Sequence, residues 1–113
     1  METAIIAAIE AAAPGIRCYH DVAPHTARAP FVVLQQVGGQ GYLHIDIDDS
    51  DYGIRLQLAV WAAGRLECNR ISRDIERGLI GLPGVTAVGA GVADVDTETG
   101  LRGMRQDFRV RHG

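Results

Sequence analysis

Apolar positions in this chain recur with two periods, one handing over to the other just after Trp61. Ile54, Leu56, Leu58 and Val60 alternate with Arg55, Gln57 and Ala59, the period of a strand with one buried face. From Gly64 to Leu82 the step lengthens: Cys68, Ile71, Ile75, Leu79 and Leu82 recur every three or four residues, with Arg65, Glu67, Arg70, Arg73, Asp74, Glu76 and Arg77 between them. That spacing predicts an amphipathic helix. One apolar stripe and one apolar sheet face bury each other most simply in a two-layer α+β fold. The expected architecture is a mainly antiparallel or mixed sheet of four to five strands with two helices on one face.

The remaining elements follow the same logic. Ile5, Ile6, Ile9 and Ala12 place a helix over Glu2 to Ala13, ended by Pro14-Gly15. Ile16 to His20 has room for a short strand only, and the proline-rich stretch Asp21 to Pro30 reads as a loop. Phe31 to Val37 is rich in strand formers. Gly38, Gly39 and Gly41 then free the backbone, and Asp46, Asp48, Asp49 and Asp51 crowd four carboxylates into six positions. Residues 38–51 are expected to form a flexible acidic loop within a single domain spanning 1–113.

Pro83-Gly84 stops the long helix, and an extended stretch runs from Val85 to Asp96. A three-residue turn at Glu98-Thr99-Gly100 sets Thr97 opposite Leu101. That register puts Val88, Ala90 and Val92 on the core side, facing Val110, Phe108 and Gln106. Gly89, Gly91 and Ala93 fall on the other side, facing Arg109, Asp107 and Arg105. Repeated glycine in a strand marks a bulge or a second backbone coming close, as a neighbouring subunit would. Gly89, Gly91, Arg105, Asp107 and Arg109 are therefore candidate subunit-interface residues.

Composition narrows the function by exclusion. A chain of 113 residues is long enough for one core, and its net charge of -3 argues against a dedicated nucleic-acid binder. No apolar run approaches the roughly 18 residues of a membrane span, and Met1 to Ala13 lacks the basic start of a secretory signal. Cys18 and Cys68 are expected to be free thiols. Cys18, His20, His25 and Cys68 lack the close pairing of a zinc site. His44, Asp46 and Asp48 share a face if extended and offer metal-type ligands. An EF-hand loop begun at Asp46 fails, with Asp51 where glycine belongs and Gln57 where glutamate belongs. Ser50 and Ser72 have no glycine elbow, and the glycine runs have no phosphate-loop lysine. No catalytic constellation emerges.

Arg102, Arg105, Arg109 and Arg111 make the last hairpin basic, opposite in sign to the 46–51 stretch. Such a chain suits head-to-tail contacts between copies.

In their order, several segments resemble the tail-completion or tail-terminator proteins of tailed bacteriophages. They are Ala29 to Gln35, Leu56 to Ala62 with its Val60-Trp61, the helix from Glu67 to Leu79, and Asp96 to Gly100 leading into Arg105 to Val110. The resemblance spans nearly the whole chain and is structural rather than catalytic. It implies a virion assembly protein with no active site and no cofactor, forming a ring, usually a hexamer, at the head-proximal end of the tail tube. That ring stops tube polymerisation and provides the joint to the head. The implied partners are further copies of the chain, the tail tube protein, a head-completion or neck protein, and DNA in transient non-specific passage, with no membrane. The implied location is the phage tail, assembled in the host cytoplasm. On such a ring Asp46, Asp48, Asp49 and Asp51 are expected to line the channel, where like charge keeps DNA from adhering. Two alternatives remain: a neck or connector ring protein, and a metal-dependent enzyme using His44 with the acidic loop.

Overall fold

The computed structural model describes residues 2–39 and 53–111. The elements run in the order α1 (Glu2–Ala12), β1 (Arg17–His20), β2 (Phe31–Gly39), β3 (Gly53–Ala62), α2 (Arg65–Ile80), β4 (Val85–Val95) and β5 (Arg102–Arg111). The strands form a five-stranded sheet in the order β1-β2-β3-β5-β4, with β1 parallel to β2 and every other neighbour antiparallel. Both helices pack on one face. This is the two-layer α+β fold that the two periods predict, with β3 at the centre of the sheet.

The core sits where the period-two and period-3.6 stripes meet. Leu56, Leu58 and Val60 of β3 are buried together with Ile5 and Ile9 of α1 and with Cys68, Ile71, Ile75 and Leu79 of α2. Val32, Leu34, Phe108 and Val110 complete it from the neighbouring strands, and Leu82 packs against it half-buried. Among the described residues no polar or charged residue is buried, so this layer is held by apolar contact alone.

Helix α2 starts at Gly64, which offers no side-chain cap. Its first residue is instead used as a clamp. Arg65 Nη1 donates to the Gly103 carbonyl at 2.9 Å and Nη2 to the Asp94 carbonyl at 2.8 Å, tying the helix start to the loop end of the β4–β5 hairpin.

That hairpin departs from the expected register. Asp96 pairs with Leu101, its N–H donating to the Leu101 carbonyl at 3.0 Å, and Gly100 returns its N–H to the Asp96 carbonyl at 2.7 Å. Four residues, Thr97 to Gly100, make the loop instead of three, with Gly100 at φ 77°. Below it Val92 lies opposite Arg105 and Ala93 opposite Met104, and further down Val88 lies opposite Asp107 and Ala87 opposite Phe108. Between those blocks Gly89, Ala90 and Gly91 stand against Gln106 alone, a bulge that adds two residues to β4. The longer loop slips the register by one residue and the bulge by two more. The one-residue slip exchanges the faces of β4 and the two bulge residues, an even number, leave that exchange in place, so Val88 and Val92 lie on the face away from the helices and Ala87 and Ala93 on the core side.

Candidate functional site

The sheet face without helices carries an ordered set of charged, polar and aromatic groups. Cross-strand pairing lays it out in rows. One row holds Arg17, Phe31, Trp61, Gly103 and Asp94; the next holds Tyr19, Val33, Ala59, Arg105 and Val92. The third runs Gln35, Gln57, Asp107 and Val88, and the fourth sets Arg55 beside Arg109 and Thr86.

The end of this face nearest β1 is apolar. Phe31 and Tyr19 meet edge to face with ring centroids 5.9 Å apart, and Phe31 and Ala59 are each only 8% exposed. Trp61 lies across Gly103, where an added Cβ would stand 2.6 Å from the indole ring. The residue is glycine because the indole occupies that space.

The end carried by β5 and β4 is charged. Asp107 accepts from Arg55 through Nη2 at 2.9 Å and Nε at 3.0 Å, and from Gln57 Nε2 at 3.3 Å. Arg105 Nε comes within 3.5 Å of Asp94 Oδ2 but makes no hydrogen bond among the described residues. That pair is therefore an electrostatic contact without directional geometry. Arg109 is exposed and sits directly opposite Arg55, a like-charge pair that Asp107 relieves by engaging Arg55 alone.

Of the residues singled out from sequence, Arg105, Asp107 and Arg109 are brought onto one face, as their alternation requires. Gly89 and Gly91 are explained within the chain. Gly89 takes φ 76° in the bulge, and Gln106 Nε2 donates to its carbonyl at 3.1 Å. A Cβ at Gly91 would meet Met104 Sδ at 2.8 Å. Asp46, Asp48, Asp49, Asp51 and His44 lie outside the described residues. Sequence reasoning missed the Arg65 clamp and the Arg55 contact to Asp107, since both depend on register and neither has a local signal.

Little else on the described chain has the makings of a chemical site. A cleft of about 300 Å³ bordered by Ile5, Leu34, Ile54 and Leu56 carries His20 and Asp21 at its rim. No group of three or more His, Cys, Asp or Glu among the described residues could hold a metal ion. Both cysteines are free. Burial pushes the Cys18 thiol above its ordinary range, with the Glu10 carboxylate adding to the effect. Burial also raises that of Cys68, whose Sγ donates to the Val60 carbonyl at 3.4 Å. Neither is poised as a nucleophile, which needs a depressed pKa. No described helix is long and apolar enough to cross a membrane.

Residues 4–113 match the model of the family described as tail completion protein gp17. The chain belongs to that family. As a tail completion protein it is a structural component of a phage tail with a role in virion assembly, and it is not an enzyme. Two solved structures share its fold. A chain of the virion of a native gene transfer agent particle aligns with TM-score 0.59 at 16% identity, covering 98% of this chain and 92% of that one. The gp17 protein of bacteriophage SPP1 aligns with TM-score 0.56 at 18% identity, covering 99% and 88%. No curated protein sequence matches the chain.

Proposed function

We propose that this tail completion protein assembles into a ring, a hexamer, on the head-proximal end of the tail tube, where it ends tube polymerisation and forms the joint to the head. The observation that carries this reading is the family match across almost the whole chain. The organised face opposite the helices is consistent with it, since its charged groups have no part in the buried core. The tail tube protein meets one side of the ring and a head-completion protein the other. Asp46, Asp48, Asp49 and Asp51 line the channel and repel passing DNA.

Subunit contact involves Arg105, Asp107 and Arg109 with the β4 bulge at Gly89 and Gly91. Arg105→Glu with Arg109→Glu tests this. Arg109 is exposed and Arg105 is half-buried beside Asp94, so the double variant stays folded at a cost of about 1 kcal/mol, while electron microscopy with purified tubes shows loss of capping rings. Normal rings from the double variant remove this face from the contact. Rings from the wild-type protein that copurify with portal protein rather than tubes replace tube capping with a connector role.

A further inference from the structure

Strands β1 and β4 end the sheet, and no described strand pairs with the outer side of either. We infer that copies of this chain join edge to edge, Val92–Asp94 of β4 in one copy pairing antiparallel with Arg17–Tyr19 of β1 in the next. The inference rests on the ring reading above and adds, beside the contact at Arg105, Asp107 and Arg109, the strand edges that join one copy to the next.

Direction is the first support. β1 runs with β2, and each further step across β3, β5 and β4 reverses. β4 therefore runs opposite to β1. Copies related by rotation about an axis along the strands present antiparallel edges to each other, and antiparallel pairing needs no crossover.

Level is the second. Following the pairs across the sheet, Arg17 stands in the row of Asp94, Cys18 in the row of Ala93 and Tyr19 in the row of Val92. Two copies meeting without vertical offset thus bring Arg17 to Asp94, Cys18 to Ala93 and Tyr19 to Val92. Face parity is preserved, so all helices stay on one side of the joined sheet.

Backbone orientation agrees with this register. The hydrogen-bonded pair of Asp96 with Leu101 makes Asp94 and Val92 point their amides toward β5 and leaves those of Ala93 pointing outward. On β1, Asp21 N–H donates to the Leu34 carbonyl at 2.9 Å, so Tyr19 and Arg17 face β2 and Cys18 points outward. Ala93 and Cys18 are the residues that the level match places opposite each other.

The side chains agree as well. Arg17 and Asp94 are an opposite-charge pair, and Tyr19 with Val92 is an aromatic–β-branched pair, both favourable across antiparallel strands. Val92 is 56% exposed in the single chain, so its side chain is open to a partner strand. Asp94 Oδ1 accepts the outward Val95 N–H at 2.8 Å, which occupies the edge of the isolated copy. The bulge at Gly89–Gly91 ends the flat ladder below Val92, confining the contact to this short segment.

Arg17→Cys with Asp94→Cys, in a Cys18→Ser background, tests the register. These residues would form a non-hydrogen-bonded antiparallel pair with Cα atoms about 4.5 Å apart, within disulfide range. Mixed with tail tubes under mild oxidation, the double variant should give a ladder of covalent multimers, and neither single variant should. Rings visible on tubes in the same sample without cross-links overturn the edge pairing while leaving the ring intact. Absence of wild-type rings on tubes overturns the ring reading and the pairing together. If the cysteine variant does not fold, the charge swap decides. Arg17→Glu should reduce the fraction of capped tubes and Arg17→Glu with Asp94→Arg should restore it; no restoration overturns the pairing.

Discussion

The two faces of this sheet are made by the same strands and are built for different purposes. On β5, Phe108 and Val110 point into a layer with no buried polar residue among those described, while Asp107 and Arg109 alternate with them on a face of ion pairs and an edge-to-face ring pair. The covered face is redundant, since many apolar contacts share the load and the net free energy comes from area removed from water. The uncovered face is specific, because its few interactions depend on which residue stands opposite which. Folding is the work of the first; the proposed contacts between copies fall on the second and its edges.

Adjacent positions on β5 give the largest contrast. Phe108→Ala deletes a ring that is 2% exposed and should cost about 3–5 kcal/mol of unfolding free energy, enough to unfold a marginal domain. Asp107→Ala, one residue away, should cost no more than about 1 kcal/mol, since it breaks exposed charge contacts. Urea titration of both variants measures the gap. Equal losses would mean that the uncovered face carries as much of the folding energy as the core.

A smaller effect probes where the uncovered face stops being merely polar. Gly103→Ala would drive a methyl to 2.6 Å from the Trp61 ring. Indole and strand must then separate, at about 1–3 kcal/mol. Trp61 is the only tryptophan, so its fluorescence should shift in the folded variant while the covered layer keeps its cooperative transition. No spectral change would show that the indole does not rest on this glycine.

How much of this was legible in the chain follows the same division. The covered face could be read directly: the alternation through β3 and the three- and four-residue steps of α2 name Leu56, Leu58, Val60, Cys68, Ile71, Ile75 and Leu79, all buried. Periodicity is a local property and survives without knowledge of neighbours. The uncovered face depends on register, which is not local. One extra loop residue moved Val88 and Val92 across the sheet, and the two bulge residues changed the partner of Val88 without changing its face. Glycines at 89 and 91 signalled a bulge or a close neighbour without fixing which, and the bulge is what formed. Nothing near Arg65 in sequence announces that its guanidinium reaches two carbonyls of a hairpin about thirty residues away.

The mildest test compares the centre of the covered layer with its margin, using the two native thiols. Cys68 is wholly buried between α2 and β3, and Cys18 is half-buried on the edge strand β1. Desolvation disfavours the thiolate at both, so each folded-state pKa lies above its unfolded value. The unfolded chain therefore releases these protons first as pH rises. Their stabilising contribution is complete below the unfolded thiol pKa, near 9.0, and is lost as pH climbs through the folded values. Because the thiolate is the reactive form, alkylation near neutral pH should be slow at Cys18 and should reach Cys68 only through opening of the core. Mass spectrometry should show a single label entering at Cys18 first, faster at alkaline pH, with the second requiring denaturant. Simultaneous labelling of both would mean that the core opens as readily as the edge, and the contrast between centre and margin would fail.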